Sequence, residues 1–65
     1  MANKVRERRE QLGKTQDWLA ERVGISRRYV IKIEKDQVNP SVALAKKIAS
    51  SLGRFVEEIF VWWNI

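Results

Sequence analysis

The chain has 65 residues, enough for one domain near the lower limit at which a hydrophobic core supports itself. It contains no cysteine and no histidine, which excludes disulfide staples, thiolate zinc sites and the side chain most used for acid–base chemistry near neutral pH. Thirteen Lys and Arg against eight Asp and Glu leave a formal charge of +5, which places nucleic acid first among expected partners and an anionic membrane second.

Residues 1–20 are charged throughout, unlike a signal peptide, and the longest apolar run, Ile59 to Trp63, is far too short to span a bilayer. A cytoplasmic protein without metal or cofactor is therefore expected. Stability must come from packed helices, from oligomerisation or from both.

Breakers at Gly13, Gly24, Asn39-Pro40 and Gly53 divide the chain into five segments. The first, Asn3 to Leu12, places Val5, Arg8, Arg9 and Leu12 on one helical stripe. The second, Thr15 to Val23, has Thr15 as N-cap, Asp17 in its first turn and Leu19, Ala20 and Val23 as its apolar face. The third runs from the N-cap Ser26 to about Lys35, with Val30 and Ile33 on one face and Arg27, Arg28, Ile31, Lys32 and Lys35 on the other. The fourth begins near Ser41 and carries Leu44, Ala45, Ile48, Ala49 and Leu52 at core spacing. The fifth, from about Phe55, offers Val56, Ile59 and Phe60, and the β-prone residues 61–65 suit a short strand. These segments predict one all-α domain of five helices.

Segments two and three have the pattern of two short helices joined by a tight turn. Such a corner needs a small residue where the helices cross and a glycine where the backbone reverses. Ala20 and Gly24 meet these needs, and Val30 and Ile33 close the corner against Leu19 and Ala20. Any helical hairpin with an alanine at its crossing is the plainer reading of the same spacing.

Thr15-Gln16, Leu19-Ala20, Gly24-Ile25-Ser26-Arg27, Val30, Lys32-Ile33-Glu34, Asn39-Pro40-Ser41 and Glu57-Glu58-Ile59-Phe60 resemble the phage-repressor-like (XRE-type) helix-turn-helix family over about residues 4–60. The resemblance implies a transcriptional regulator whose helix-turn-helix spans about residues 15–35, with segment three as recognition helix. It is similar to the short stand-alone members, in which the termini form a small two-stranded antiparallel sheet and the C-terminal region, here about 54–65, forms a homodimer. Double-stranded DNA is the implied partner.

Exposed side chains on the first turns of a recognition helix meet base edges, and arginine can bond bidentately to guanine. The resemblance assigns base contact to Arg27, Arg28 and Lys32; the helical wheel adds Ile31, which faces the same groove and suits a thymine methyl. Phosphate contact or plain solvation is the alternative for each cation. The resemblance gives Gln16, at the start of helix two, a phosphate contact. Ser26, Tyr29, Lys35 and Asn39 are further, weaker candidates for phosphate contact from their own chemistry. Tyr29 alternatively covers the turn.

Arg9 and Glu34 each fall on the inner face of a helix, where a lone charge is expensive. An ion pair between them resolves both anomalies; the alternative is that their charged ends reach solvent.

Three features depart from the family pattern. Asp36 stands at a turn that usually has glycine, Trp18 occupies a normally polar position, and Phe55 replaces the small N-cap of helix five, leaving Gly53 or Arg54 to cap. The aromatic surplus marks an interface, assigned to Phe55, Ile59, Trp62 and Trp63 of a dimer. The alternative folds one Trp on to the core.

A catalytic role is not expected. No phosphate loop or metal-ligand cluster is present, and Glu57 and Glu58 diverge by about 100° on a helix. An antitoxin or accessory regulator that uses this fold chiefly to bind a protein partner is the second reading. RNA-binding and membrane-surface modules lack, respectively, a stacking platform and a broad apolar face.

Overall fold

The computed structural model describes residues 3–60, which form α1 (Val5–Gln11), α2 (Gln16–Val23), α3 (Arg27–Glu34), α4 (Val42–Ser51) and α5 (Val56–Ile59). Three of these starts rest on hydroxyl caps. The side chains of Thr15, Ser26 and Ser41 accept the backbone N–H of Trp18 at 3.0 Å, Tyr29 at 3.1 Å and Leu44 at 3.2 Å. Each such cap satisfies one orphan donor and is worth about 1 kcal/mol.

α1 begins at Val5 rather than Asn3, because the Asn3 side-chain oxygen accepts the Val5 N–H at 3.0 Å and so sits outside the helix. The Lys4 N–H is spent on the Ile59 carbonyl, 2.8 Å away, which ties the start of the chain to α5. Leu12, expected on the inner stripe with Val5, follows the last turn of α1 and is 36% exposed.

The turn between α2 and α3 reverses at Gly24, whose φ of 78° lies in the left-handed region that glycine adopts without a Cβ penalty. Asp36 does the same work after α3 with φ 57°. There the Gln37 N–H returns to the Lys32 carbonyl at 2.9 Å and the Asp36 N–H to Ile33 at 3.0 Å, a Schellman closure. A non-glycine residue gives up about 1–2 kcal/mol in this conformation. Asn3 offsets that cost: its Nδ2 donates to Asp36 Oδ1 at 2.9 Å and to the Ile33 carbonyl at 2.7 Å.

α2 packs on α3 and α4, α4 on α5, and α1 on α3. The shared core contains Val5, Leu19, Ala20, Val23, Val30, Ile33, Ala45, Ile48, Ala49, Leu52, Ile59 and Phe60. Burying each large aliphatic side chain contributes about 1.5–3 kcal/mol. The small Ala20 and Ala45 are both buried in this core.

Two expectations for the fifth segment are corrected. Ile59, expected at a dimer surface, is 1% exposed, because α5 turns Val56, Ile59 and Phe60 toward the core at helical spacing. The cap of α5 comes neither from Gly53 nor from Arg54. Glu58 reaches back and accepts the Phe55 N–H at 2.9 Å. Phe55 itself stands 76% exposed. Trp62, Trp63 and the strand expected over 61–65 lie outside the described residues.

Candidate nucleic-acid interface

α3 has two unlike faces. Val30 and Ile33 are buried, while Arg27, Arg28, Lys32 and Lys35 are exposed and Ile31 is half-buried. The cause is the period of 3.6 residues, which sends positions 30 and 33 one way and positions 28 and 32 the other. The four residues expected to meet bases, Arg27, Arg28, Ile31 and Lys32, thus share one stretch of surface. Arg27 also lies 3.8 Å from the Asp17 carboxylate, an exposed pair that solvent screens heavily. Arg28 and Lys32 have no carboxylate partner among the described residues.

The inner side of α3 is held by charge as well as by packing. Arg9 Nε donates to Glu34 Oε2 at 2.7 Å and its Nη2 to Glu34 Oε1 at 3.3 Å, a two-pronged pair. Its remaining Nη1 donates to the Lys14 carbonyl at 2.7 Å. The Arg9 side chain is 9% exposed and that of Glu34 3%, so water screens this pair little. No buried side-chain polar atom among the described residues lacks a partner, the condition under which buried charge is tolerable.

Gln16 joins this network. Its Nε2 donates to Glu34 Oε1 at 3.1 Å, so one carboxylate ties α1, α2 and α3 together. The amide oxygen and second amide hydrogen of Gln16 stay available at the start of α2, where the helix dipole also favours an anion. Sequence reasoning missed this link, since nothing in the spacing of Gln16 and Glu34 announces it. It also missed Asn3, whose two amide hydrogens hold the turn after α3; a polar residue just before a helix was the available signal.

The remaining candidates are scattered more widely. Ser26 is exposed and its oxygen is engaged with the Tyr29 N–H, leaving its hydroxyl hydrogen to donate. Tyr29 is half-buried and packs against the core beside the turn. Lys35 caps the end of α3, and Asn39 is exposed on the loop before α4. Trp18 is half-buried against the core, with the Lys14 ammonium 5.3 Å and the Arg22 guanidinium 5.5 Å from its ring centre.

Residues 5–58 match a helix-turn-helix family model. Among similar curated proteins, an uncharacterized HTH-type transcriptional regulator of Methanothermobacter thermautotrophicus is 48% identical over 62 residues, 94% of this chain and 90% of its own length. One from Archaeoglobus fulgidus is 39% identical over 62 residues, covering 95% and 89%. The uncharacterized HTH-type transcriptional regulator YgzD of Bacillus subtilis is 42% identical over 60 residues, covering 92% and 91%.

Proposed function

The chain belongs to the XRE-type helix-turn-helix family of DNA-binding transcriptional regulators, and from that premise we propose that it is a cytoplasmic repressor that binds a near-palindromic operator as a homodimer. Each protomer seats α3 in the major groove, with the two recognition helices about 34 Å apart along one face of the duplex. Arg28 and Lys32 read base edges, Arg27 does so once it leaves Asp17, and Ile31 covers a thymine methyl. Gln16, Ser26, Tyr29, Lys35 and Asn39 meet the flanking phosphates and set the register. The homodimer forms through the C-terminal segment around the exposed Phe55, with Trp62 and Trp63 contributing.

One observation carries this reading: the outer face of α3 is exposed and cationic, while its inner face is anchored by the buried Arg9–Glu34 pair. The anchor stops the helix from rolling, so the same side chains always face the groove. Selection of bound sites from a random duplex library tests it. A two-fold symmetric motif with half-sites one helical turn apart is the expected result; equal affinity for every duplex and for heparin overturns it. Affinity should also fall by orders of magnitude between low and moderate salt, as about six neutralised phosphates per dimer require.

A further inference from the structure

The excess positive charge of this protein does not gather on α3 alone. Around the recognition helix, Arg27, Arg28, Lys32 and Lys35 are accompanied by Asp17 and Asp36. On α1 and α5, with the residues beside them, Lys4, Arg6, Arg8 and Arg54 are matched by Glu7, Glu10, Glu57 and Glu58. Apart from the buried Arg9–Glu34 pair, that leaves Lys14, Arg22, Lys46 and Lys47 against the single carboxylate of Glu21, the most lopsided group among the described residues.

These residues are neighbours. Lys14 and Arg22 both lie over the Trp18 ring, at 5.3 Å and 5.5 Å, making one stripe along α2. Arg22 then shares an open depression with Glu21, Lys46, Lys47 and two serines of α4. The depression is lined by α2, Gly24 and α4, and by no residue of α3. Asp17 points toward Arg27 of α3, whereas Trp18 and Arg22 lie about 100° and 140° further round α2, and Arg22 borders α4. A duplex seated on α3 leaves this surface open.

The geometry points to a protein-docking surface on α2 and α4 that receives an acidic segment of another protein while DNA is bound. Charge complementarity selects an acidic partner. Its being protein rather than a second duplex follows from how the surface is built. The depression is lined by the C-terminal halves of α2 and α4, where backbone N–H groups are already spent within the helices, so the donors on offer are side chains. Trp and Arg, here with the Arg22 guanidinium 5.5 Å from the Trp18 ring centre, are among the residues that most often dominate protein–protein binding energy. Glu21 within the patch repels a continuous phosphate chain but can be avoided by a peptide of mixed composition. Acidic side chains would meet Lys46, Lys47 and Arg22, and an apolar residue would lie along the exposed part of the indole.

The test uses a labelled dodecapeptide rich in Glu and Asp with one central Phe, titrated by fluorescence anisotropy into the protein bound to its selected duplex. The peptide should bind that complex and the free protein alike. Binding should weaken by at least about tenfold for the charge-reversed variant Lys46→Glu/Lys47→Glu and for Trp18→Ala. The lysines are exposed, so the double variant keeps its fold if Trp18→Ala does not. At physiological salt, where charges more than about 8 Å apart are largely screened, DNA affinity of the lysine variant should fall far less than its peptide affinity. Competition between peptide and duplex, or equal peptide binding by wild type and variants, overturns the inference. So does a loss of self-association in the lysine variant, which would make a second copy the occupant. Absence of any duplex binding by wild type would instead sink the repressor reading, with the peptide arm still decided on the free protein.

Discussion

Gln16 and Arg9 donate to the same oxygen of Glu34, at 3.1 Å and 3.3 Å, so the residue that opens α2 and the residue that anchors α1 are referenced to one carboxylate on α3. This arrangement converts a stability device into a positioning device. Any slip of α3 about its axis would break three hydrogen bonds at Glu34, the third being the 2.7 Å bond from Arg9 Nε.

Removing that carboxylate strands a buried guanidinium. Glu34→Ala should cost about 3–5 kcal/mol, the usual penalty for breaking one side of a buried pair. On a domain of this size each kcal/mol lowers Tm by roughly 4–8 °C, so thermal denaturation should show a drop of tens of degrees or no folded state. Replacing both partners, Arg9→Met with Glu34→Leu, should recover most of the loss. A Glu34→Ala protein that melts like wild type would show that the pair carries no weight.

The clasp between Asn3 and Asp36 makes a second, separable prediction. Asn3→Asp keeps the oxygen that caps Val5 but replaces both donors to the α3 turn and sets two carboxylates together. It should destabilise by about 1–3 kcal/mol, the cost of leaving bonded groups unpaired. Adding Asp36→Asn restores a donor opposite the new carboxylate and should return part of that loss. Urea titration of the two single variants and the double decides it; strictly additive losses would mean that the two side chains do not act together.

Base contacts and phosphate contacts should separate in binding measurements. Arg28→Ala should lose about 1–3 kcal/mol on the selected site and relax preference at one position of each half-site. Lys35→Ala should weaken all duplexes alike and lower the salt slope by about 1 per protomer. Both residues are exposed, so neither change should alter Tm appreciably. If Arg28→Ala leaves the selected motif unchanged, its role is confined to the backbone.

At the C-terminal end, Phe55 and Ile59 should behave as opposites. Phe55→Asp removes an exposed ring, so the proposed dimer should dissociate more readily in sedimentation while the folded protomer persists. Ile59→Ala empties a core position and should cost about 2–5 kcal/mol whatever the oligomeric state. An unchanged sedimentation profile for Phe55→Asp would remove it from the interface.

Much of this molecule can be read from local pattern. The caps Thr15, Ser26 and Ser41 act within three residues of themselves, and the helical period alone separates Val30 and Ile33 from Arg28 and Lys32. The reversal at Asp36 was foreseeable because Asp is among the few residues that tolerate the left-handed region. Arg9 and Glu34 could be matched because two buried opposite charges, each costly alone, have an evident solution.

What short-range rules govern was legible in the chain: the hydroxyl-capped starts of α2, α3 and α4, the apolar faces of those three helices, and that a cationic helix follows the tight turn. Apart from the Arg9–Glu34 pair, the partners that meet across long separations followed only from how the helices pack. Asn3 reaches Ile33 and Asp36, Gln16 reaches Glu34, and Ile59 turns inward while Phe55 stays in solvent. The reason is that a helix period limits the directions a side chain can take, but only the packing of α1, α4 and α5 around the corner fixes what lies in those directions.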